Sequence, residues 1–534
     1  MDPTNVSPAT EGRPLMYLTD HLCAPRLLFV RALLFASLLG LLLLACTGAP
    51  RFEPSEATLE DVRRDVRTGA ISCRALALRY QQLRDTLNPR LRAIVTWNDR
   101  LLEDADRLDR IAVGQRGPFH CVPLVVKDNI DVAGLPTTGG ARALSGSTPG
   151  AHAAVTQRLL DAGAIVLGKA NLPDFALDGI NTLSSAGGQT VNPYNPSLTV
   201  YGSSGGTAAA ISASLGLIGL GTDTFGSLVQ PASATGLVSL RPTQDLVPGR
   251  GVLPLMTLQD TVGPMTRTVE DAAATLELLV DPQYAAQGSQ EYTRALVRDG
   301  LRGLRIGFDP VLLQELPAPP LVPSAEVSAL FNQALARIGQ AGATTKQVNA
   351  LASLFPALLP VTNSLFACMP VDFKQGINQY LGALGPGAPV RSLTELIATH
   401  QYLDTVSDFL TAAEATQDTL QSSAVCQQYL TDKAAAASAV TAFMDEQGLD
   451  LLVYPAANQP PFPIGQPPAG WYGFQGLSSP TGLPSLTLPM GIAPTSGAPV
   501  GLIFLARKYQ EALLLQAAYA FQEQARPRVP PPQR

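Results

Sequence analysis

The chain has 534 residues, of which 46% are hydrophobic and 15% are charged, a composition that allows a large buried core and excludes an intrinsically disordered or coiled-coil protein. The formal net charge of −6 provides no basic footprint for nucleic acid, so a nucleic-acid partner is not expected. The four histidines and six cysteines are widely scattered; the sequence therefore predicts no metal site and no cofactor.

Residues 1–45 predict an export signal of the lipoprotein type. Arg26 and Arg31 precede the uncharged apolar run 32–45, which suits a secretory signal and is short for a membrane span of about 20 residues. The run ends in Leu43-Leu-Ala-Cys46, which resembles a bacterial lipobox, where the cysteine is lipidated and becomes the new N-terminus. The alternative is an uncleaved anchor over 27–45. Both interpretations place the remaining chain outside the cytoplasm, and we expect a periplasmic protein anchored to the membrane through lipid on Cys46.

Residues 46–54 are predicted to be a tether and residues 55–525 one large domain. Thr58-Leu-Glu-Asp61 has the spacing of a capping box at the start of a helix. Strand and helix signals then alternate, which favours an α/β fold. The predicted strands are 124–126, 164–167 and 238–240, and the predicted helices are 153–162, 207–217 and 268–279.

The pattern changes after Asp281. Residues 316–323 contain four prolines and indicate a linker, and residues 324 to about 445 are predicted to be a helical insertion. The α/β pattern then resumes, with strands at 451–453, 486–488 and 500–504 and a helix at 511–522. Residues 526–534 form a Pro-rich tail that we expect to be disordered.

Four cysteines would remain after export and lipidation. They are Cys73, Cys121, Cys368 and Cys426. An extracytoplasmic compartment allows disulfides to persist, and four cysteines allow three pairings. A buried free thiol is the alternative for each of them, and the sequence does not choose.

Three segments carry candidate catalytic groups, and the first is Lys127. It directly follows the apolar strand 124–126, where desolvation would lower its pKa and let it act as a base. The alternative is a lysine whose ammonium extends from the strand end to water.

The second segment is Gly202-Ser-Ser-Gly-Gly206. Its glycines allow the backbone to approach another group closely. It also satisfies Gly-x-Ser-x-Gly with Ser204 in the centre, the pattern of a hydrolase nucleophile elbow. That interpretation predicts a His-dependent serine esterase, for which only His400 follows downstream.

The third segment, 219–227, places Ser227 after a turn that contains glycine. Such a turn can present the serine Oγ while the preceding N–H groups point into one space, which is the geometry of an oxyanion hole. An ordinary loop is the alternative.

Together these segments resemble the amidase signature family of Ser-cisSer-Lys amidohydrolases. Lys127-Asp-Asn-Ile-Asp131 followed by Gly134-Leu-Pro-Thr-Thr138 is similar to the lysine motif of that family, and the 24 positions from Ser203 to Ser227 match the spacing of its two serines. Further similar segments are 163–171, Asn192-Pro193, Arg241-Pro-Thr243, Asp260 with Gly263-Pro-Met265, and 482–501. The resemblance covers roughly 55–525 and implies a central mixed β-sheet covered by helices.

The resemblance also implies roles. Ser227 would be the nucleophile that forms an acyl-enzyme, Ser203, held through a cis peptide, would relay protons, and Lys127 would be the base. Backbone N–H groups of Thr224, Phe225, Gly226 and Ser227 would form the oxyanion hole, with Ser204 and Asp223 in support. The implied function is hydrolysis of a small-molecule or peptide amide to an acid and ammonia or an amine.

The chain departs from the family pattern next to the nucleophile. The family usually has Gly-Gly-Ser-Ile-Arg there, and this chain has Phe225-Gly-Ser-Leu-Val229. Loss of the arginine argues against an acidic substrate. Phe225 would either wall the substrate pocket or, if its φ had to be positive, distort the oxyanion hole. A weakened or inactive amidase-fold binding protein is therefore the main alternative function.

Overall fold

The computed structural model describes residues 52–284, 291–309 and 324–532, apart from 386, 470, 472, 474 and 475. The predicted export signal, Cys46 and the predicted linker 316–323 lie outside the described residues. From Phe52 onward the chain forms one compact unit.

Two sets of elements build this unit. The strands are β1 Ile94–Trp97, β2 Pro123–Lys127, β3 Ile165–Ala170, β4 Leu183–Ser184, β5 Gly188–Gln189, β6 Ile218–Asp223, β7 Val238–Arg241, β8 Thr261–Thr266, β9 Arg305–Phe308, β10 Thr344–Gln347, β11 Leu451–Pro455, β12 Ser485–Ile492 and β13 Pro499–Leu505. The α-helices among the described residues are α1 Leu59–Thr68, α2 Cys73–Leu91, α3 Leu101–Asp109, α4 Ala154–Asp161, α5 Gly205–Ser212, α6 Val229–Thr235, α7 Val269–Leu279, α8 Ala325–Gln340, α9 Ala350–Ala383, α10 Leu393–Ala398, α11 Ser407–Ala415, α12 Ala424–Glu446 and α13 Glu511–Ala525.

Eleven of the described strands form one mixed sheet in the order β1-β3-β2-β6-β8-β7-β12-β13-β11-β9-β10, and β4 pairs with β5 separately. Strand β2 is parallel to both of its neighbours, β3 and β6. Strand β6 is antiparallel to β8. Because parallel strands end at the same edge of a sheet, the carboxyl ends of β2 and β6 bring Lys127 and Asp223 together.

Local signals explain where several helices begin. Thr58 and Asp61 form the predicted capping box at the start of α1, and Thr268 caps α7 through the N–H of Asp271. Helix α5 consists almost entirely of small residues and is buried along its whole length. Small side chains let it lie close to β2 and β6 in the centre of the core, which positions the serines that precede it.

The helical insertion packs as a second apolar layer. Helices α9 and α12 contribute buried side chains to one cluster, and a disulfide joins Cys368 of α9 to Cys426 of α12. A second disulfide joins Cys73 to Cys121, so one of the three possible pairings is present. Helix α9, over Ser353–Ala383, is long and apolar enough to cross a membrane, a property that core helices share, and its buried face contributes to this cluster.

Two features differ from the sequence predictions. The segment predicted as a helical insertion from residue 324 contains strand β10, which extends the sheet edge beside β9, and its two threonines favour strand over helix. The expected disorder of the tail does not extend to Arg528, which forms an ion pair with Glu56 (2.7 Å) and donates to the carbonyl of Gly236 (2.7 Å).

Candidate active site

Lys127 ends strand β2 and is fully buried. Its Nζ donates to Ser203 Oγ (2.7 Å) and to Thr222 Oγ1 (2.8 Å). Burial lowers the pKa of Lys127 to about 7, although the carboxylates of Asp260 and Asp223 oppose this shift. A lysine with this pKa is neutral in a large share of molecules at neutral pH, so it can accept a proton.

Ser203 lies in the tight segment that leads into α5. The peptide bond from Gly202 to Ser203 is cis, as the family resemblance implies. A Cβ added to Gly202 would lie 2.2 Å from the carbonyl oxygen of Asp178, so only glycine fits at this position. The segment is therefore packed against its surroundings, which fixes the Ser203 hydroxyl next to Lys127.

Thr222 links the two serine segments. Its side-chain hydroxyl accepts the hydrogen bond from Lys127 Nζ. Its backbone carbonyl accepts from Ser204 Oγ (3.1 Å), and its backbone N–H donates to the same oxygen (3.3 Å). The backbone N–H of Ser204 donates to the carbonyl of Ser227 (3.3 Å). These bonds bring Lys127, Ser203 and Ser227 into one site, and they give Ser204 a supporting position.

Asp223 organises the turn that carries Ser227. Its Oδ1 accepts from the N–H of Gly226 (2.9 Å), and its Oδ2 accepts from the N–H of Leu228 (2.8 Å). Arg241 Nη1 (2.9 Å) and Ser479 Oγ (3.0 Å) complete the shell around Oδ1. The carboxylate and the guanidinium are both fully buried; removing either partner would leave an uncompensated charge in the core, at a cost of about 3–5 kcal/mol.

The turn leaves three of the four predicted N–H groups available for an oxyanion. Within the described residues, the N–H groups of Thr224, Phe225 and Ser227 donate to no protein acceptor. The N–H of Gly226 donates to Asp223 Oδ1, so it is not among the free donors of this turn. Gly226 instead supplies the left-handed backbone of the turn, with φ +94°.

Phe225 does not strain this turn. Its φ is not among the positive values, because the neighbouring glycine takes that conformation. Its half-buried ring packs edge-on against Phe366 of α9, with ring centroids 5.4 Å apart. Phe225 therefore packs against the insertion close to Ser227, and its backbone does not need the left-handed conformation that would distort the turn. Val229 is fully buried among apolar residues, and Arg241 supplies the charge that Asp223 needs.

The esterase hypothesis is contradicted by the positions of its two residues. Ser204 is fully buried, and both hydrogen-bonding roles of its hydroxyl are taken by the Thr222 backbone. His400 is exposed on the insertion, where its ring lies beside that of Tyr402. An imidazole at the surface has no route to a fully buried hydroxyl, so Ser204 and His400 do not form a nucleophile–base pair.

Five further residues shape the site and were not assigned a role from the sequence. They are Thr222, Arg241, Gln259, Asp260 and Ser479. Arg241 and Asp260 belong to segments that resemble the family, but their contact with the turn is visible only in three dimensions. Thr224 Oγ1 donates to Asp260 Oδ1 (2.5 Å), and burial raises the pKa of Asp260 to about 6.

A cavity and a group of metal-ligating residue types lie among the described residues. A cavity of about 720 Å³ borders Thr222 and Asp260 and is also lined by Asp131 and Tyr380, but not by Lys127 or the two serines. Among the described residues, one group could chelate a metal, formed by Cys73, His120 and Cys121. Its two cysteines are joined in a disulfide, so they are not thiolate ligands.

Comparison with known proteins places the chain in a family. The family model described as Amidase matches residues 75–515. The chain is 30% identical over 482 residues to a glutamyl-tRNA(Gln) amidotransferase subunit of Synechococcus sp. (strain JA-2-3B'a(2-13)), and the match covers 88% of this chain and 92% of that protein.

Solved structures agree. The native peptide amidase from Stenotrophomonas maltophilia superposes with a TM-score of 0.79 at 34% identity and covers 89% of this chain and 98% of that one. An amidase family protein from Bacillus anthracis str. Ames gives a TM-score of 0.75 at 27% identity, with coverage of 90% and 93%. The predicted α/β fold with a central mixed sheet is thus confirmed. The chain belongs to the amidase signature family, and it is a hydrolase of amide C–N bonds.

Proposed function

We propose that this protein hydrolyses neutral peptide amides through an acyl-enzyme on Ser227, with Ser203 and Lys127 as its proton carriers. The observation that carries the proposal is the contact of 2.7 Å between Lys127 Nζ and Ser203 Oγ in a fully buried setting. A peptide amide is supported by the likeness to the peptide amidase at 34% identity. A neutral substrate is supported by Val229, an apolar residue where the family usually has an arginine.

The proposed mechanism is supported by the contact between Lys127 and Ser203 and by the bond from the Ser204 N–H to the Ser227 carbonyl. Neutral Lys127 takes the proton of Ser203 as Ser203 takes the proton of Ser227, and Ser227 Oγ attacks the amide carbonyl. The N–H groups of Thr224, Phe225 and Ser227 are free to stabilise the oxyanion that forms. The proton then returns through Ser203 to the leaving nitrogen. The C–N bond breaks, ammonia or an amine departs, and water hydrolyses the ester by the same route.

Two alternatives have less support. A non-catalytic binding protein was motivated by Phe225, yet that residue lies in an unstrained turn and all three proton-transfer groups are present. A role in a tRNA-dependent amidotransferase is suggested by relatives at 30% identity. The acidic net charge and the predicted export signal argue against that role for this chain.

A fluorophosphonate probe tests the proposal, because it reacts with an activated serine and leaves a stable adduct. We expect one adduct per chain, which peptide mapping locates at Ser227. An inactive binding protein would remain unlabelled, and an adduct at Ser204 would support the elbow mechanism. Either of these two results would overturn the assignment of Ser227 as the nucleophile.

We further propose that the protein is a lipoprotein of the bacterial periplasm, anchored through Cys46. The support is the apolar run that ends in Leu43-Leu-Ala-Cys46. A single acyl chain gives marginal membrane binding, whereas two or more give stable anchoring.

Metabolic labelling with a tagged fatty acid tests the anchor. Wild type should incorporate the label and fractionate with membranes, and Cys46→Ser should lose both the label and the matching signal cleavage. Cys23→Ser is the matched control, because Cys23 precedes the apolar run and would be removed with the signal. Equal labelling of wild type and Cys46→Ser would exclude Cys46 as the lipid site.

A further inference from the structure

Gln259 connects the oxyanion turn to the helical insertion. It lies just before strand β8 and is fully buried. Its Nε2 donates to the carbonyl of Thr224 (3.0 Å) and to the carbonyl of Ser479. On the other side of the amide, Oε1 accepts from the hydroxyl of Tyr429 and from Lys433 Nζ (3.0 Å). The side-chain amide of Gln259 therefore donates two hydrogen bonds and accepts two.

The partners of Gln259 fix which way its amide points. The carbonyls of Thr224 and Ser479 can only accept, so the NH₂ group must face them. The oxygen must then face Tyr429 and Lys433, both of which donate. These two residues are four positions apart on α12 and so lie on the same side of that helix. Lys433 is itself held by the carbonyl of Leu258 (2.9 Å), which limits its freedom to turn away.

Holding the Thr224 carbonyl also sets the direction of the next N–H. The peptide between Thr224 and Phe225 is trans, and in a trans peptide the C=O and the N–H point to opposite sides. The bond from Gln259 therefore turns the Phe225 N–H away from Gln259. That N–H donates to no protein acceptor among the described residues, so nothing else on its own side holds it in place.

We propose that Gln259 is a positioning residue for the oxyanion hole, and that Tyr429 and Lys433 hold Gln259 so that the helical insertion controls the Thr224–Phe225 peptide. This inference rests on the proposed function, because it concerns the same acyl transfer to Ser227. In this inference the insertion raises the rate of acyl transfer to Ser227, in addition to covering the sheet. None of these three side chains touches the substrate in this account.

The rate of Ser227 modification by the fluorophosphonate probe tests the inference, since the phosphoryl oxygen of the adduct occupies the oxyanion position. Full-length protein in detergent is used, with Gln259→Leu, Tyr429→Phe and Lys433→Met. We expect the rate to fall about a hundredfold for Gln259→Leu, comparable to the loss of one oxyanion donor. We expect about a tenfold fall for each of the other two, comparable to one hydrogen bond.

Matched controls come from the same insertion. Tyr402→Phe removes a hydroxyl that bonds the carbonyl of Ile397, and Lys374→Met removes an amine that bonds the carbonyls of Glu414 and Thr416. Neither residue contacts the turn through a described hydrogen bond, so both variants should react at the wild-type rate. The double variant Gln259→Leu/Tyr429→Phe should be no slower than Gln259→Leu alone, because Tyr429 acts through Gln259.

The final extent of labelling separates positioning from damage to the fold. A misfolded fraction lowers the amount of Ser227 that ever reacts, whereas a misplaced peptide lowers the rate at full final labelling, with KM for an amide within about twofold of wild type. If Gln259→Leu does not fold, the inference is tested by the labelling rates of Tyr429→Phe and Lys433→Met.

Failure of the proposed function and failure of this inference would give different results. If wild type takes no label at Ser227, the proposed function fails. If wild type reacts while Tyr429→Phe and Lys433→Met react at its rate with full labelling, the function stands and the inference is overturned.

Discussion

Replacing Ser227 by alanine should abolish amide turnover, with kcat lower by about 10⁶-fold, the scale seen when the nucleophile of a serine hydrolase is removed. The alanine has no oxygen to form the acyl-enzyme, and the hydroxyl of Ser204 is held by the Thr222 backbone. The assay is ammonia release from a neutral peptide amide, with fluorophosphonate labelling in parallel.

Ser214→Ala is the matched control for this change. Ser214 is 6% exposed and Ser227 is 7% exposed, but Ser214 bonds the N–H of Glu56 on a different part of the domain. We expect wild-type turnover from it. Because Ser227 and Lys127 act as a unit, the double variant Ser227→Ala/Lys127→Met should be little slower than the slower single variant. Substantial turnover by folded Ser227→Ala would show that the nucleophile is another group.

The core of this site could be predicted because its parts are local in sequence. Lys127 ends an apolar strand, Ser203 lies in a Gly-Ser segment, and Ser227 follows a turn with glycine, so each carries its own signal within a few residues. The spacing between the serines then linked two of the segments. The strands of the sheet were predictable for the same reason, since short apolar runs indicate buried strands.

The supporting groups could not be predicted because their contacts join distant parts of the chain. Arg241 reaches Asp223 only after β6, β8 and β7 have assembled, and Tyr429 reaches Gln259 from an insertion helix. Helical periodicity indicates that the insertion has a buried face, but it does not indicate which surface that face covers. The disulfide pairing was open for the same reason.

The predicted oxyanion hole shows how such contacts change a local prediction. The sequence indicated four consecutive N–H groups, and any of them could have pointed into the site. Asp223 accepts from the N–H of Gly226, so in this structure that N–H holds the turn and is not a free donor. The bond between the Asp223 carboxylate and a backbone N–H of the same turn depends on the backbone conformation, which the sequence pattern does not reveal.

Replacing Lys127 should also remove nearly all activity. Lys127→Met keeps most of the side-chain volume and removes the base, and Lys127→Arg keeps a positive charge that cannot be deprotonated. We expect a loss of about 10⁴-fold or more for both, because a hydroxyl nucleophile without its base is weak. Equal loss in the two variants would identify proton acceptance as the role of Lys127, whereas high activity of Lys127→Arg would show that its charge alone is needed.

The pH dependence of wild-type kcat/KM tests the same role. Burial lowers the pKa of Lys127 to about 7, and only the neutral amine accepts a proton, so kcat/KM should rise with pH through about 7 and level off above it.

Burial also lowers the pKa of Lys433 to about 7 and raises that of Asp260 to about 6, so both need a control. In Lys433→Met the rise should stay at the same pH, even though the rate is lower. In Asp260→Asn the loss of a nearby negative charge, which favours protonated Lys127, should move the rise to lower pH. A profile that is flat from pH 5 to 9, or a rise that disappears in Lys433→Met, would contradict Lys127 as the titrating base.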